Sequence, residues 1–252
     1  MQTRYVIATA ILMLAIPCAV SFGQGIGYSI WEKPPAESKP VVSWYGQTGL
    51  IAIPSALIGP PMSVQVGAHW VNTNWRIGTQ KEDLWAYTGT VAITGNLEVG
   101  MARLENVQKA SGGAVRFDSE TIANAKYNVD LGRWTGMEKA PELAIGVWDV
   151  TDEFNRGYYL VATKELHLRE VEGPSDLTLT VGFGNNELDT GAMDGVFFGI
   201  EIVPTAMVRL QADYDAEDFN AALRIFPTKD LSLDVATVDG HLGVGASYRI
   251  GF

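Results

Sequence analysis

The chain contains one cysteine, Cys18, in 252 residues. With no second thiol there is no internal disulfide framework, so packing and hydrogen bonds must hold the fold. Long apolar runs are equally scarce. Past residue 24 no stretch reaches the ~18 apolar residues that a membrane-crossing helix needs. Basic charge is in the minority, with 18 Lys+Arg against 29 Asp+Glu and a net charge of −11. Such a chain repels phosphate backbones, which argues against nucleic acid as a partner. Catalytic signatures are missing too: there is no Gly-x-Ser-x-Gly, no His-Glu-x-x-His and no phosphate-cradling glycine loop opening a helix. The three histidines, His69, His167 and His241, lie far apart in sequence. Asp118, Glu120 and Asp152 match no EF-hand-like loop. The expectation is a non-enzyme with no cofactor and no metal site.

What is present divides into three parts. Residues 1–24 read as a signal peptide: Arg4 opens a short apolar stretch from Val6 to Ile16, and small residues follow around Ala19 to Gly23. Cys18 would leave with it, and so would Arg4, leaving 17 basic against 29 acidic residues and a net charge of −12. Residues 25–62 read as a periplasmic linker, with Pro34, Pro35 and Pro40 among Glu32, Lys33, Glu37 and Lys39. Within this part, 48–58 is an apolar candidate plug carrying an entry motif at Gly49 and Pro54. Residues 63–252 read as the barrel.

That third part alternates in segments of 8 to 12 residues, the length a tilted strand needs to cross a bilayer. The segments fall at 63–73, 84–94, 96–108, 119–130, 141–150, 158–168, 177–184, 195–203, 207–215, 218–226, 231–238 and 242–252. About twelve is an even number, as a closed bacterial barrel requires. Tight turns are expected at Gly95-Asn96, Pro204-Thr205 and 227–230, and longer loops at 73–83, 109–118 and 185–194. Val208, Leu210, Ala212 and Tyr214 share one face of their segment, against Arg209, Gln211, Asp213 and Asp215. The last segment sets Val244, Ala246, Tyr248, Ile250 and Phe252 against Gly245, Ser247, Arg249 and Gly251. Tyr248, Ile250 and Phe252 form the carboxy-terminal signal of a strand that returns to pair with the first. Trp70, Trp85, Tyr87, Trp148, Tyr158, Tyr248 and Phe252 sit near segment ends, where an interfacial girdle would put them. Alternation alone would also suit a soluble sandwich. The signal and the long strands favour an all-β, closed antiparallel transmembrane barrel of the bacterial outer-membrane type.

The charges assigned to the lumen are Glu98, Lys126, Asp149, Lys164, Glu201, Arg209, Asp213, Asp215 and Arg224, joined by Asp234 and Arg249. Two readings stand open. Mixed signs can knit a closed lumen by ion pairs, or line a polar conduit in which Arg209, Arg224 and Lys126 meet anionic sugars.

Several stretches together resemble the YjbH-type outer-membrane barrels linked to exopolysaccharide and capsule production. They are Thr48-Gly-Leu-Ile-Ala-Ile-Pro-Ser-Ala56, Asn96-Leu-Glu-Val-Gly100, Ala125-Lys-Tyr127, Gly146-Val-Trp-Asp149, Val161-Ala-Thr-Lys164 and the run from Asp213 to Arg224. They follow the family's order across most of the chain, with Ser55 where threonine is usual. The resemblance implies export or surface assembly of exopolysaccharide. Expected partners are outer-membrane lipid, the barrel-assembly machinery, polysaccharide and periplasmic export proteins. A small general porin or solute channel, and a rim-located lipid or glycan hydrolase, are the alternatives. If the barrel assignment holds, the unboiled chain migrates differently from the boiled one on electrophoresis. Identical migration, with the chain folded and monomeric in buffer without detergent, would overturn it.

Overall fold

A computed structural model describes residues 40–77, 79–111, 114–129, 131–132, 140–153, 155–167, 176–187 and 192–251. The expected signal peptide with Cys18, the expected linker up to residue 39, and Phe252 lie outside these residues. Two short strands, β1 (Val41–Val42) and β2 (Thr48–Gly49), pair with each other. Twelve longer ones follow: β3 (Ser63–Ile77), β4 (Gln80–Ala92), β5 (Leu97–Ser111), β6 (Ala114–Val129), β7 (Glu142–Trp148), β8 (Gly157–His167), β9 (Asp176–Asn186), β10 (Gly195–Thr205), β11 (Val208–Tyr214), β12 (Phe219–Ile225), β13 (Leu231–Val238) and β14 (His241–Gly251). Each of the twelve pairs antiparallel with its sequence neighbours, and β14 returns to β3, so the sheet is a closed barrel.

Strand parity sorts the side chains. On β9, Leu179, Val181 and Phe183 point out, the last two 54% and 59% exposed, while Thr178 and Thr180 on the other parity are buried. On β14, Leu242, Val244, Tyr248 and Ile250 point out, and Ser247 points in. The same holds for Val99 and Met101 on β5, Val196 and Phe198 on β10, and Leu233 and Val235 on β13. Large apolar side chains thus cover the outside while Glu98, Lys126, Gln211 and Arg224 are buried inside. A soluble barrel would reverse this arrangement. The outward residues of β14 run from Leu242 to Ile250, about 26 Å along the strand at ~3.3 Å per residue. A tilt near 40° reduces that to about 20 Å, close to the apolar band of an outer-membrane barrel.

The end of the barrel that holds Ser63 and Gly251 is the near end. At the far end the structure corrects several expectations. Residues 73–83 and 109–118 are not open loops: β3–β4 and β5–β6 continue their ladders well past the belt, with paired residues out to Ile77↔Gln80 and Ser111↔Ala114. Both ladders step register as they leave the belt, between Val71 and Trp75 and between Leu104 and Val107. Asn74 and Asn106 take positive φ there (54° and 66°), a conformation asparagine tolerates better than most residues. Polar groups mark the edge of the belt on β5, where outward Arg103 reaches Glu105, Ser119 and Thr121. Pro204 lies inside β10, at a register shift, and the turn follows at 206–207. Trp148 is not part of the girdle. It points inward at 3% exposure, because its parity on β7 matches Ala144 rather than Ile145. Trp85 and Tyr87 do face out and lie parallel, ring centroids 6.3 Å apart.

Val181 sits at the middle of β9, so Val181→Arg should lower stability in phospholipid vesicles by about 2–4 kcal/mol, the cost of a cation at the bilayer midplane. Guanidinium titration followed by tryptophan fluorescence reads this directly. An unchanged midpoint would mean that this face does not meet lipid.

A plugged lumen as candidate functional site

The lumen is occupied by the segment that precedes the barrel. From Pro40 at the near end the chain rises to Trp44 and Tyr45, turns at Gly46, and forms a hairpin over 48–55 before returning to β3. The hairpin is closed by the Gly49↔Pro54 bridge and by hydrogen bonds from Leu50 N to Ile53 O and Ser55 N to Thr48 O. Residues 41–47, expected in the linker, therefore belong to the plug. Their apolar and small side chains pack only if the lumen walls surround them, and Val42, Ser43 and Trp44 are at most 3% exposed.

Backbone groups of such a segment need partners, and the wall supplies them. Near the near end, Glu98 accepts hydrogen bonds from Thr48 N (2.8 Å) and Thr48 Oγ1 (2.6 Å). Lys126 Nζ lies 3.3 Å from Glu98 and donates to the carbonyls of Thr48, Ser55 and Leu57 at 2.9–3.0 Å. Asn128 donates to Ala56 O, and Thr163 accepts from Ala56 N. Toward the far end, one Asp213 oxygen accepts from Ile51 N (2.8 Å) and Ala52 N (3.0 Å), and Asn220 donates to the other. Asn124 donates to Tyr45 O, Thr90 to Gly46 O, and Tyr159 OH to Gln47. Gln65 and Arg249 both donate to Pro40 O. These partners stand on seven strands, so the plug crosses the lumen from wall to wall.

Apolar contacts fill the rest. Leu50, Ile53 and Ala56 join Ala102, Ile122, Val161 and Phe197 in one cluster, while Trp44 and Ile51 join Val71, Ala222 and Ala236 in another. Tyr45 meets Trp148 edge-on at 6.1 Å, and Trp44 stacks on His69 at 4.7 Å. Glycines admit the plug. A Cβ on Gly100 would collide with Gly46 O, and one on Gly199 or Gly243 with the side chains of Leu50 or Trp44. Gly46 itself has φ 80° and its own Cβ position overlaps Met101 O, so no other residue fits that turn.

The assigned charges separate into groups. Glu98 and Lys126 meet at the plug, and Asp213 binds its tip. Arg209 pairs with Glu201 (3.2 Å) beside Gln211, and Arg224 with Asp234 (2.6 Å), both inside the wall. Two positions depart from the assignment. Lys164 faces outward, because it shares parity with Tyr158 and Leu160 on β8; its half-buried side chain reaches Ala140 O at the near rim. Asp149 is buried at the far end after β7, at positive φ, where it accepts from Thr151 Oγ1 and Asn155 N. Asp215 is buried as assigned: it accepts from Asn220 Nδ2 on the inner wall and from the turn backbone at Glu217 and Asp218. In that turn the Glu217 carboxyl is raised above its ordinary value, first by burial and then by Asp218 and Asp215. Tyr248 and Ile250 stand outward on the closing strand, paired with Val66 and Val64. The assignment omitted the neutral plug partners Gln65, Thr90, Asn124, Asn128, Tyr159 and Thr163. Alternation alone marks their faces, but charge does not mark their role.

No protein-family model and no curated protein matches the sequence. Among solved structures, the chain is similar to the N-terminal β-barrel domain of Pseudomonas aeruginosa OprF, at 12% identity and a TM-score of 0.24, covering 75% of this chain and 98% of that one.

Removing one member of a buried pair leaves the other uncompensated. Lys126→Met should therefore cost about 3–5 kcal/mol, and the double variant Glu98→Gln/Lys126→Met less than the sum of the two single variants. Urea unfolding in detergent micelles checks both. Strict additivity would show that the pair does not act as a unit.

Proposed function

We propose that this chain is an outer-membrane barrel held shut at rest by its own amino-terminal segment, with the near end in the periplasm. It acts without catalysis in export or surface assembly of exopolysaccharide. The observation that carries the proposal is the plug: residues 40–57 run through the lumen and bond to seven strands. A permanently open diffusion pore has no use for such a segment. The polysaccharide setting leans on the resemblance to YjbH-type barrels. Its most compact motif, Thr48–Ala56, is the plug hairpin, and its Gly49 and Pro54 form the bridge that closes that hairpin. A general solute channel is the second reading. It is favoured by an inner wall carrying buried charges of both signs, Arg209, Arg224 and Glu201 among them.

Two measurements separate these readings. In planar bilayers the intact chain should show little steady conductance, and excision of 41–57 should produce a stable open channel. Deleting the gene should lower surface polysaccharide while other porins stay normal. A large steady conductance from the intact chain, together with unchanged polysaccharide, would replace the export role with the solute channel.

A further inference from the structure

The outer wall is not evenly convex. Between β5 and β9 it carries a groove of about 580 Å³, within the ~300–1,000 Å³ range of small-molecule sites. The register shows how it is built. Two neighbouring outward rows cross the same strands. One runs Tyr127↔Ile145↔Leu160↔Phe183, the other Ala125↔Val147↔Tyr158. The first row and Tyr158 are exposed and flank the groove. Ala125 and Val147 are shorter and half-buried, and with the backbone at Gly146 they line its floor. Behind the floor the wall is sealed. A Cβ on Gly146 would overlap the ring of Tyr159, which closes that position from the lumen side.

The groove is inclined to the barrel axis. Tyr127 lies two residues from the near end of β6, and Phe183 seven from the near end of β9. The lining is almost wholly carbon, so the hydroxyls of a sugar would find no partners within it. A hydrocarbon chain needs none. Toward the near rim a cation follows. The outward face of β8 runs Tyr158, Leu160, Ala162, Lys164, and Lys164 Nζ reaches Ala140 O at 3.5 Å. Leu160 to Lys164 is about 13 Å along the strand, or about 10 Å along the barrel axis at a tilt near 40°. Headgroups extend ~5–8 Å beyond the hydrocarbon core of a bilayer. A chain seated against Leu160 therefore brings its headgroup to the level of that ammonium.

We propose that this groove is a docking site for a phospholipid, with one acyl chain lying along the Tyr127–Phe183 row and the phosphate against Lys164. The two ends of the site select the occupant: carbon in the groove, a cation at headgroup depth, and a wall continuous with the apolar belt on either side. The inference rests on the membrane-barrel part of the function proposed above and not on the export role.

The test uses the full chain purified in detergent, with dioleoyl phosphatidylglycerol as the probe and native mass spectrometry as the readout. The unmodified chain should retain one lipid. Ala125→Phe, which fills the floor, should weaken retention about ten-fold, the loss of roughly two buried methylenes. Val235→Phe, outward on the opposite wall, should leave it unchanged. Lys164→Gln should weaken it about five-fold, and dioleoylglycerol, which has the same chains and no phosphate, should not respond to Lys164→Gln. Equal retention by Ala125→Phe and the unmodified chain, or equal loss in Val235→Phe, would overturn the groove. No effect of Lys164→Gln would overturn the phosphate contact. A dimer mass that Ala125→Phe abolishes, without bound lipid, would replace the phospholipid with a second copy of the chain. Val147→Phe repeats the test should Ala125→Phe lose heat-dependent gel migration, the check on folding. Lipid retained by the purified chain does not depend on surface polysaccharide, so failure here and failure of the export role remain distinct.

Discussion

The structure depends on closing a hydrogen-bond ladder where water cannot help. Each backbone N–H or C=O left unpaired in lipid costs several kcal/mol, so a spanning sheet tolerates no edge. The join between β14 and β3 meets this demand with consecutive pairs from Gly243↔Val71 to Gly251↔Ser63. Closure also fixes register, and register fixes parity. Once Ile250 pairs with Val64 and Arg249 with Gln65, Val64, Val66, Tyr248 and Ile250 face lipid while Gln65, His69 and Ser247 face the interior. A slip of one residue would send Gln65, His69 and Arg249 into the bilayer.

Twelve strands then create a second demand. With strands ~4.8 Å apart and tilted by about 40°, the backbone cylinder is roughly 24 Å across. Eight strands leave an interior that side chains alone can fill, and twelve do not. Inward side chains of about 5–6 Å from each wall leave a gap of some 12–14 Å, about the width of two adjacent extended strands. The segment at 40–57 supplies two such strands in β1 and β2, doubled back on themselves. The walls are cut to receive them, with Gly100, Gly199 and Gly243 on the side of the strand where a larger residue would strike the plug. The abundance of glycine inside strands, which would weaken an isolated sheet, is the imprint of this close approach.

Much of this was legible in the sequence, because parity is a short-range signal. Twelve alternating segments sufficed to place the strands to within a few residues and to put Glu98, Lys126, Arg209, Asp213 and Arg224 inside. Legibility failed where a residue's role depends on its position along the barrel axis. Asp149 stands just past a strand end and binds loop backbone, which alternation does not distinguish from a wall position. Lys164 was assigned by charge, although its parity with Tyr158 and Leu160 points outward, where a long aliphatic stem can lie along the rim and carry its ammonium toward water. The extended β3–β4 and β5–β6 hairpins are not marked in the sequence because polar residues such as Asn72, Asn74, Lys81, Glu82, Gln108 and Lys109 break the alternation there. Residues 41–47 carry no strand pattern in the sequence. Their partners lie on walls distant in sequence, such as Gln65 for Val42 and Asn124 for Tyr45.

The polar fastening of an apolar hairpin needs its own account. Leu50, Ile51, Ala52 and Ile53 would bury readily against any apolar wall, and a buried ion pair adds little stability over an apolar substitute of similar size. Hydrophobic contact is non-directional, however, and would accept the hairpin at several depths. The charged groups remove that freedom. Glu98 and Lys126 together engage the N–H, hydroxyl and carbonyl of Thr48, while Asp213 takes the N–H groups of Ile51 and Ala52 near the opposite end. Two polar anchors separated along the barrel axis define one depth and one rotation. Moving the hairpin by a single residue would strip Asp213 of its two N–H donors at one anchor and the Glu98–Lys126 pair of its plug partners at the other. Hydrophobic burial thus supplies the attraction, and Glu98, Lys126 and Asp213 supply the address.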